Sequence, residues 1–94
     1  MKVSEVTTAF ASDYCGASTP DENDRINLCM SAANAFIQGY TGLDAAAIDT
    51  HEDITIAYLV LINEMYNNRD FTVEQAAKNP TVVLILAMHS NNYL

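Results

Sequence analysis

The stretch Ile54-Thr-Ile-Ala-Tyr-Leu-Val-Leu-Ile62 decides the fold class. It is apolar almost without break and rich in β-branched residues, which is also the composition of a buried strand. Length arbitrates. The pattern continues through Met65 and Tyr66 to Asn67-Asn68, about 17 residues without turn chemistry, whereas strands average about 5–6. The stretch therefore reads as a helix buried on most of its circumference. Such a helix needs neighbours on several sides, from this chain or from another copy of it. Asp49 or Thr50 can cap its start, with Glu52 or Asp53 at the third position.

Working outward, the rest of the chain is also helical by its periodicity. Val3, Val6, Ala9 and Phe10 lie at helical spacing and predict a short first helix that stops near Asp13–Gly16. Cys15-Gly-Ala-Ser-Thr-Pro20 is a loop by its turn residues. A second helix then opens with Thr19 as N-cap, Pro20 at the first position and Glu22 completing a capping box. Asp21, Glu22 and Asp24 complement the positive end of its dipole. Ile26, Cys29, Met30, Ala33, Phe36, Ile37 and Tyr40 follow one stripe, and Gly42 is the stop. Beyond the central helix, Thr72-Val-Glu-Gln75 offers a capping box for a short helix through Ala77. Asn79-Pro80 opens a last helix, Thr81–His89, apolar on nearly every face. The expected fold is all-α: one domain, residues 1–94, a small bundle of four to five helices with two of them longer and largely buried.

Composition bounds the function. Half of the 94 residues are apolar, which is globular rather than disordered. A chain this size buries only roughly 60–65% of its unfolded surface, so a deep catalytic cleft beside a full core is hard to build. Four Lys+Arg against 12 Asp+Glu leave a net charge of −8. That excludes ordinary sequence-independent DNA binding, which needs clustered cations, and disfavours anionic membranes. No leader with an apolar core follows Met1-Lys2, and the longest apolar run is seven residues. A cytosolic origin with reduced thiols is expected.

No residue set announces catalysis. Cys15 and Cys29 have no second Cys or His pair at zinc-ligand spacing. Cys29 lies on the apolar stripe and reads as a core thiol; Cys15, at a helix end, reads as exposed. His51 and His89 each stand alone, without a strand–turn–helix elbow or a Gly-rich oxyanion loop to make either a catalytic base. His51 reads as a helix-end residue and His89 as a surface or interface residue. The carboxylates Asp21, Glu22, Asp24 and Asp49, Glu52, Asp53 crowd two turns without EF-hand spacing, as caps and solvated faces do. Arg69, five residues after Glu64, can bond the last carbonyls of its helix, pair with an acid of a neighbouring subunit, or face solvent. The expectation is a non-enzyme with no metal and no cofactor.

Three segments in order carry a resemblance. They are Ala33-Asn-Ala-Phe-Ile-Gln-Gly-Tyr-Thr-Gly42, Ile56-Ala-Tyr-Leu-Val-Leu-Ile-Asn-Glu-Met-Tyr-Asn-Asn-Arg69 and Val83-Leu-Ile-Leu-Ala-Met-His-Ser-Asn-Asn-Tyr-Leu94. Together, over nearly the whole chain, they resemble the tailed-phage head–tail connector family, whose members are also called DNA-packaging proteins. The Ala-rich stretch Gly42–Thr50 lies where family members vary and adds nothing. The resemblance implies a small helical protein docked under the portal at one capsid vertex. There it forms a ring, usually dodecameric, that extends the DNA channel and meets a downstream stopper or tail-completion protein. It implies location in the virion after synthesis in the host cytoplasm, with DNA only as passing cargo and no membrane. By the same analogy, His89, Ser90, Asn91, Asn92, Tyr93 and Leu94 form an arm contacting the portal.

The residues fit that role in two ways. The central and last helices are too apolar all round for so short a chain, and large apolar surfaces mark association sites. Part of Leu59–Tyr66 or Val82–Met88 is therefore a candidate subunit interface, with Leu59, Ile62, Met65, Tyr66 and Arg69 the named positions. Acidic side chains facing a lumen repel a DNA duplex and let it slide. Asp21, Glu22, Asp24, Asp49, Glu52 and Asp53 are the candidate channel lining. The alternative is a small acidic phage protein that mimics DNA or inhibits a host protein. Mimicry needs carboxylates in rows at phosphate-like spacing; here long stretches such as Leu28–Leu43 contain none.

Overall fold

The computed structural model describes residues 1–17, 20–68 and 79–89. Among these the chain is all-α, with no strand. A 3₁₀ turn at Val3–Glu5 leads to α1 (Thr8–Cys15). A second 3₁₀ turn, Pro20–Glu22, runs into α2 (Asn23–Thr41), followed by α3 (Ala45–Ile48), α4 (Glu52–Asn67) and α5 (Pro80–Met88). The two longer helices, α2 with 19 residues and α4 with 16, form the centre. α1 packs against both, and α5 lies along α4 with a further contact to α2.

The central stretch is a helix, as its length requires. Ile54, Thr55, Ala57, Tyr58, Leu61 and Ile62 are buried, and Leu59, Val60, Met65 and Tyr66 are half-buried. α2 meets it with Ile26, Cys29, Ala33 and Ile37, the predicted stripe, while Met30, Phe36 and Tyr40 pack at its margin. From α5, Val82 and Leu86 complete the same core, and both are wholly buried. Thr41, buried at the end of α2, donates its hydroxyl to the Ile37 carbonyl at 2.7 Å and accepts from the Leu43 amide at 3.2 Å. Among the described residues no buried side-chain polar atom lacks a partner.

Helix ends account for most departures from the sequence reading. The first helix is split: Val3 and Val6 are buried, but Thr7 caps a new start by accepting from the Phe10 amide at 3.1 Å. That break rephases the helix, so Ala11 and Cys15 face the core while Ala9 and Phe10 are exposed. Gly16 closes α1 and Gly42 closes α2, at φ of 74° and 73°, where a side chain would clash with the backbone. α2 continues directly from the 3₁₀ turn, with Glu22 in helical conformation at the junction. The Gly42–Thr50 stretch is not plain loop. Asp44 accepts from the Ala47 amide at 2.8 Å and nucleates α3, which buries Ile48. Neither Asp49 nor Thr50 caps α4. Asp49 accepts from the Ser4 amide at 3.1 Å, Thr50 donates to the Ala47 carbonyl at 2.7 Å, and His51 occupies the N-cap position. Thr19 and the predicted Thr72–Ala77 helix lie outside the described residues.

α5 begins where the sequence placed it. Asn79 accepts from the amides of Thr81 and Val82 at 3.1 and 3.2 Å, with Pro80 at the first position. Losing such a cap costs about 1 kcal/mol. Asn79→Ala is therefore expected to lower the melting temperature by about 4–8 °C, and Asn79→Ser to retain most of it, as read by circular dichroism on heating.

Candidate functional site

Two clusters tie the helix ends together. The start of α4 lies beside the end of α5. His51, at the N-cap of α4, makes no capping bond with its side chain. Its imidazole stacks instead on that of His89, the residue closing α5, with ring centroids 4.0 Å apart and planes inclined by 27°. His89 Nε2 donates to Asp53, in the first turn of α4, at 2.7 and 2.9 Å from the two carboxylate oxygens. This bond, more than any other effect, holds the Asp53 carboxyl below the usual carboxylate range. The polarity is favourable, because a carboxylate sits at a positive helix end and an imidazole that can be cationic sits at a negative one.

At the other end of α4 stands Arg25 of α2. Its guanidinium lies over the Tyr66 ring, 4.5 Å from the centroid, and donates to the Tyr66 backbone carbonyl. It also pairs with Glu22 at 3.8 Å. The Tyr66 carbonyl is one of those a helix leaves unsatisfied at its C-terminus, so the cation both fills a vacancy in the ladder and complements the dipole. Desolvation and the adjoining Glu22 carboxylate raise the Tyr66 phenol above its ordinary value. Arg25, from a different helix, thus supplies a cation at this C-terminal end of α4.

The third feature is apolar surface. Leu84 and Met88 of α5 are 67% and 63% exposed, Leu28 of α2 71%, and Ile56 of α4 54%. Ile56 and the exposed Phe10 flank an open groove of about 510 Å³, whose other lining residues are Met1, Glu52, Asp53, Thr55 and Leu59. Thr55 donates to the Met1 carbonyl at 2.7 Å and holds the N-terminus along this edge.

The interface candidates separate on this view. Leu59 is half-buried in the wall of the groove, and Met65 and Tyr66 are half-buried near the end of α4. Ile62 is wholly buried in the chain's own core and presents no surface to a neighbour. Arg69 and the arm residues Ser90, Asn91, Asn92, Tyr93 and Leu94 lie outside the described residues; His89 is engaged with His51 and Asp53. Among the acids, Asp21 and Asp24 are exposed at the start of α2 and Glu52 is exposed near the Met1 amine, 3.6 Å away. Glu22, Asp49 and Asp53 have partners within the chain, namely Arg25, the Ser4 amide and His89. Cys15 is buried rather than exposed, because α1 turns it onto the core. Burial raises both its thiol and that of Cys29, the reverse of an activated thiolate.

Two pairings escaped the sequence. His51 and His89 are 38 positions apart, and Arg25 and Tyr66 are 41 apart. The only local hint was that each sits at or near a helix end. Among the described residues no group of three His, Cys, Asp or Glu is placed to hold a metal ion, and no helix is long and apolar enough to cross a membrane. No protein-family model, no curated protein and no solved structure matches the chain.

Two expectations follow. Arg25→Ala removes a cation–π contact and a helix-end donor together, and should cost about 1–2 kcal/mol in urea denaturation. Arg25→Lys should recover only part of this, since an ammonium lacks the planar fork. Asp49, like Asp53, is held below its unfolded-state value, by the Ser4 bonds first. A depressed carboxyl adds stability above the unfolded value, about 3.9, and loses it as pH falls through the folded value. Acid destabilisation should therefore set in below about pH 4. Asp49→Asn should lower stability above about pH 5, where the wild type keeps its bonded carboxylate, and flatten part of the acid limb in stepped-pH denaturation.

Proposed function

We propose that this chain is the repeating subunit of a head–tail connector ring in a tailed-phage virion. The observation that carries the reading is the apolar surface left in water after the core is complete. Ile26, Ile37, Leu61, Ile62, Val82 and Leu86 are all wholly buried, yet Leu84 and Met88 of α5 remain about two-thirds exposed. A chain of net charge −8 repels its copies, so apolar contact must supply the attraction. Ring closure needs two unlike patches on each subunit, one meeting the other on the next copy. The projecting Leu84 and Met88 suit one patch; the groove between Phe10, Ile56 and Leu59 suits the other. Asp21, Asp24 and Glu52, exposed carboxylates, suit a lumen through which DNA slides without sticking. The three resembling segments supply the choice of connector among ring-forming proteins, and the portal and stopper as its partners.

Native mass spectrometry and negative-stain microscopy, of the protein alone and co-expressed with its genome's portal protein, test this. The expected species is a closed ring whose mass is a multiple of 10.3 kDa. Joint Leu84→Glu and Met88→Glu substitutions should abolish the ring while leaving the helical circular dichroism spectrum intact. A 10.3 kDa monomer at high concentration that also ignores the portal would overturn the assignment. Capture of a nuclease or repressor in place of the portal would point to DNA mimicry.

A further inference from the structure

A smaller cavity, of about 200 Å³, lies where the Val3–Glu5 turn, α2, the end of α3 and α4 converge. Val3, Val6 and Ile48 give it buried apolar walls. Asn34, Asp49 and Tyr58 line it with polar side chains. Tyr58 is only 4% exposed, and among the described residues its hydroxyl has no hydrogen-bond partner. Hydroxyls so deeply set are ordinarily paired, because leaving them unpaired costs free energy. No fully enclosed side-chain oxygen or nitrogen of the described residues is unpaired. The Tyr58 oxygen therefore keeps its contact with solvent, and the cavity is the opening that Tyr58 lines. Asp49 Oδ1 accepts from the Ser4 amide at 3.1 Å, which pins the carboxylate at the wall. A carboxylate offers about four acceptor positions, so this bond leaves capacity for a ligand.

We infer that this cavity binds a small primary amine, an ammonium head on an apolar body the size of a single ring. The polar lining selects the head group. An ammonium brings three donors and no acceptor. The carboxylate of Asp49, the phenolic oxygen of Tyr58 and the carboxamide oxygen of Asn34 each accept. Asp49 is the one lining residue with a formal charge, and an anion would meet it head-on. Of the groups acting on Asp49, the Lys2 cation acts least. The volume selects the body. It falls below the roughly 300–1,000 Å³ of sites for drug-sized ligands and near the ~150 Å³ in which a benzene ring fits. The groove beside Phe10 and Ile56 shares no lining residue with this cavity, and the inference does not rest on the ring assignment.

Benzylammonium, benzyl alcohol and benzoate share one ring and differ in the head group. Each is titrated into the full chain at neutral pH and followed by NMR. Benzylammonium should shift the methyls of Val3, Val6 and Ile48 and the ring of Tyr58 to saturation, with the Ile56 methyls unmoved. Benzyl alcohol should bind at least about tenfold more weakly, and benzoate should produce no saturable shift. Tyr58→Phe, which keeps the ring, should weaken benzylammonium binding about three- to tenfold, and Asp49→Asn by more than about tenfold. Asn34→Ala, at a half-buried position, should weaken it about three- to tenfold and gives an independent reading. Wild-type shifts for the core methyls of Leu61 and Val82 verify that each variant is folded. Absence of saturable binding, equal binding of the amine and the alcohol, or full affinity in Tyr58→Phe would overturn the inference. So would shifts spread over exposed acids such as Asp21 and Asp24 in place of the cavity.

Discussion

The packing of α2 against α4 is the contact on which everything else in this protein rests. Ile26, Ala33 and Ile37 on one helix meet Ile54, Ala57, Leu61 and Ile62 on the other, and all are wholly buried. Alanines at Ala33 and Ala57 let the two backbones approach, while branched side chains fill the space on either side. α1 and α5 then have only to cover what this pair leaves open. They do so with few residues: Ala11 and Cys15 from α1, Val82 and Leu86 from α5. So small a commitment leaves Leu84, Ala87 and Met88 of α5 facing water although the helix is made almost wholly of apolar residues. The exposed Leu84 and Met88 follow from α5 being buried on one narrow stripe rather than all round.

Polar groups are used sparingly and at the ends of helices. Thr7, Asp44 and Asn79 cap three starts, Gly16 and Gly42 release two ends, and Thr41 turns its hydroxyl back onto its own helix. The few charged or ionisable groups with long-range partners follow the same rule. Arg25 closes the C-terminal end of α4 from a neighbouring helix, and Asp53 with His89 joins the opposite end of α4 to α5. With four cations in the whole chain, placing one of them at a helix C-terminus beside an aromatic face makes the most of its charge. Exposed acids such as Asp13, Asp21, Asp24 and Asp44 set the character of the described surface.

These two habits together suit the ring subunit proposed above. The surface combines acidic side chains that resist nonspecific contact with a few apolar side chains on separate helices that favour specific contact. A ring subunit needs both properties: attraction concentrated at two unlike patches and repulsion elsewhere. Neither cavity geometry nor a converging set of reactive groups figures in that reading, and the two buried thiols are accounted for as core.

What the chain's order of residues determined by itself was local. The mostly apolar stretch from Ile54 to Tyr66 read as a buried helix because it runs longer, without turn residues, than strands usually do. The stripe on α2 and the stops and starts at Gly42 and Asn79-Pro80 depend on neighbours within a few residues, and they were legible for that reason. Tertiary structure decided everything that required knowing which helix lies beside which. Asp49 looked like a cap but bonds Ser4, 45 positions away, and Asp53 looked like a solvated acid but receives His89, 36 positions away. Ile62 looked like a surface for a partner and is instead interior, since a helix apolar on most sides does not declare which side its own chain will cover. Periodicity records that a face must be buried; only the packed fold says against what.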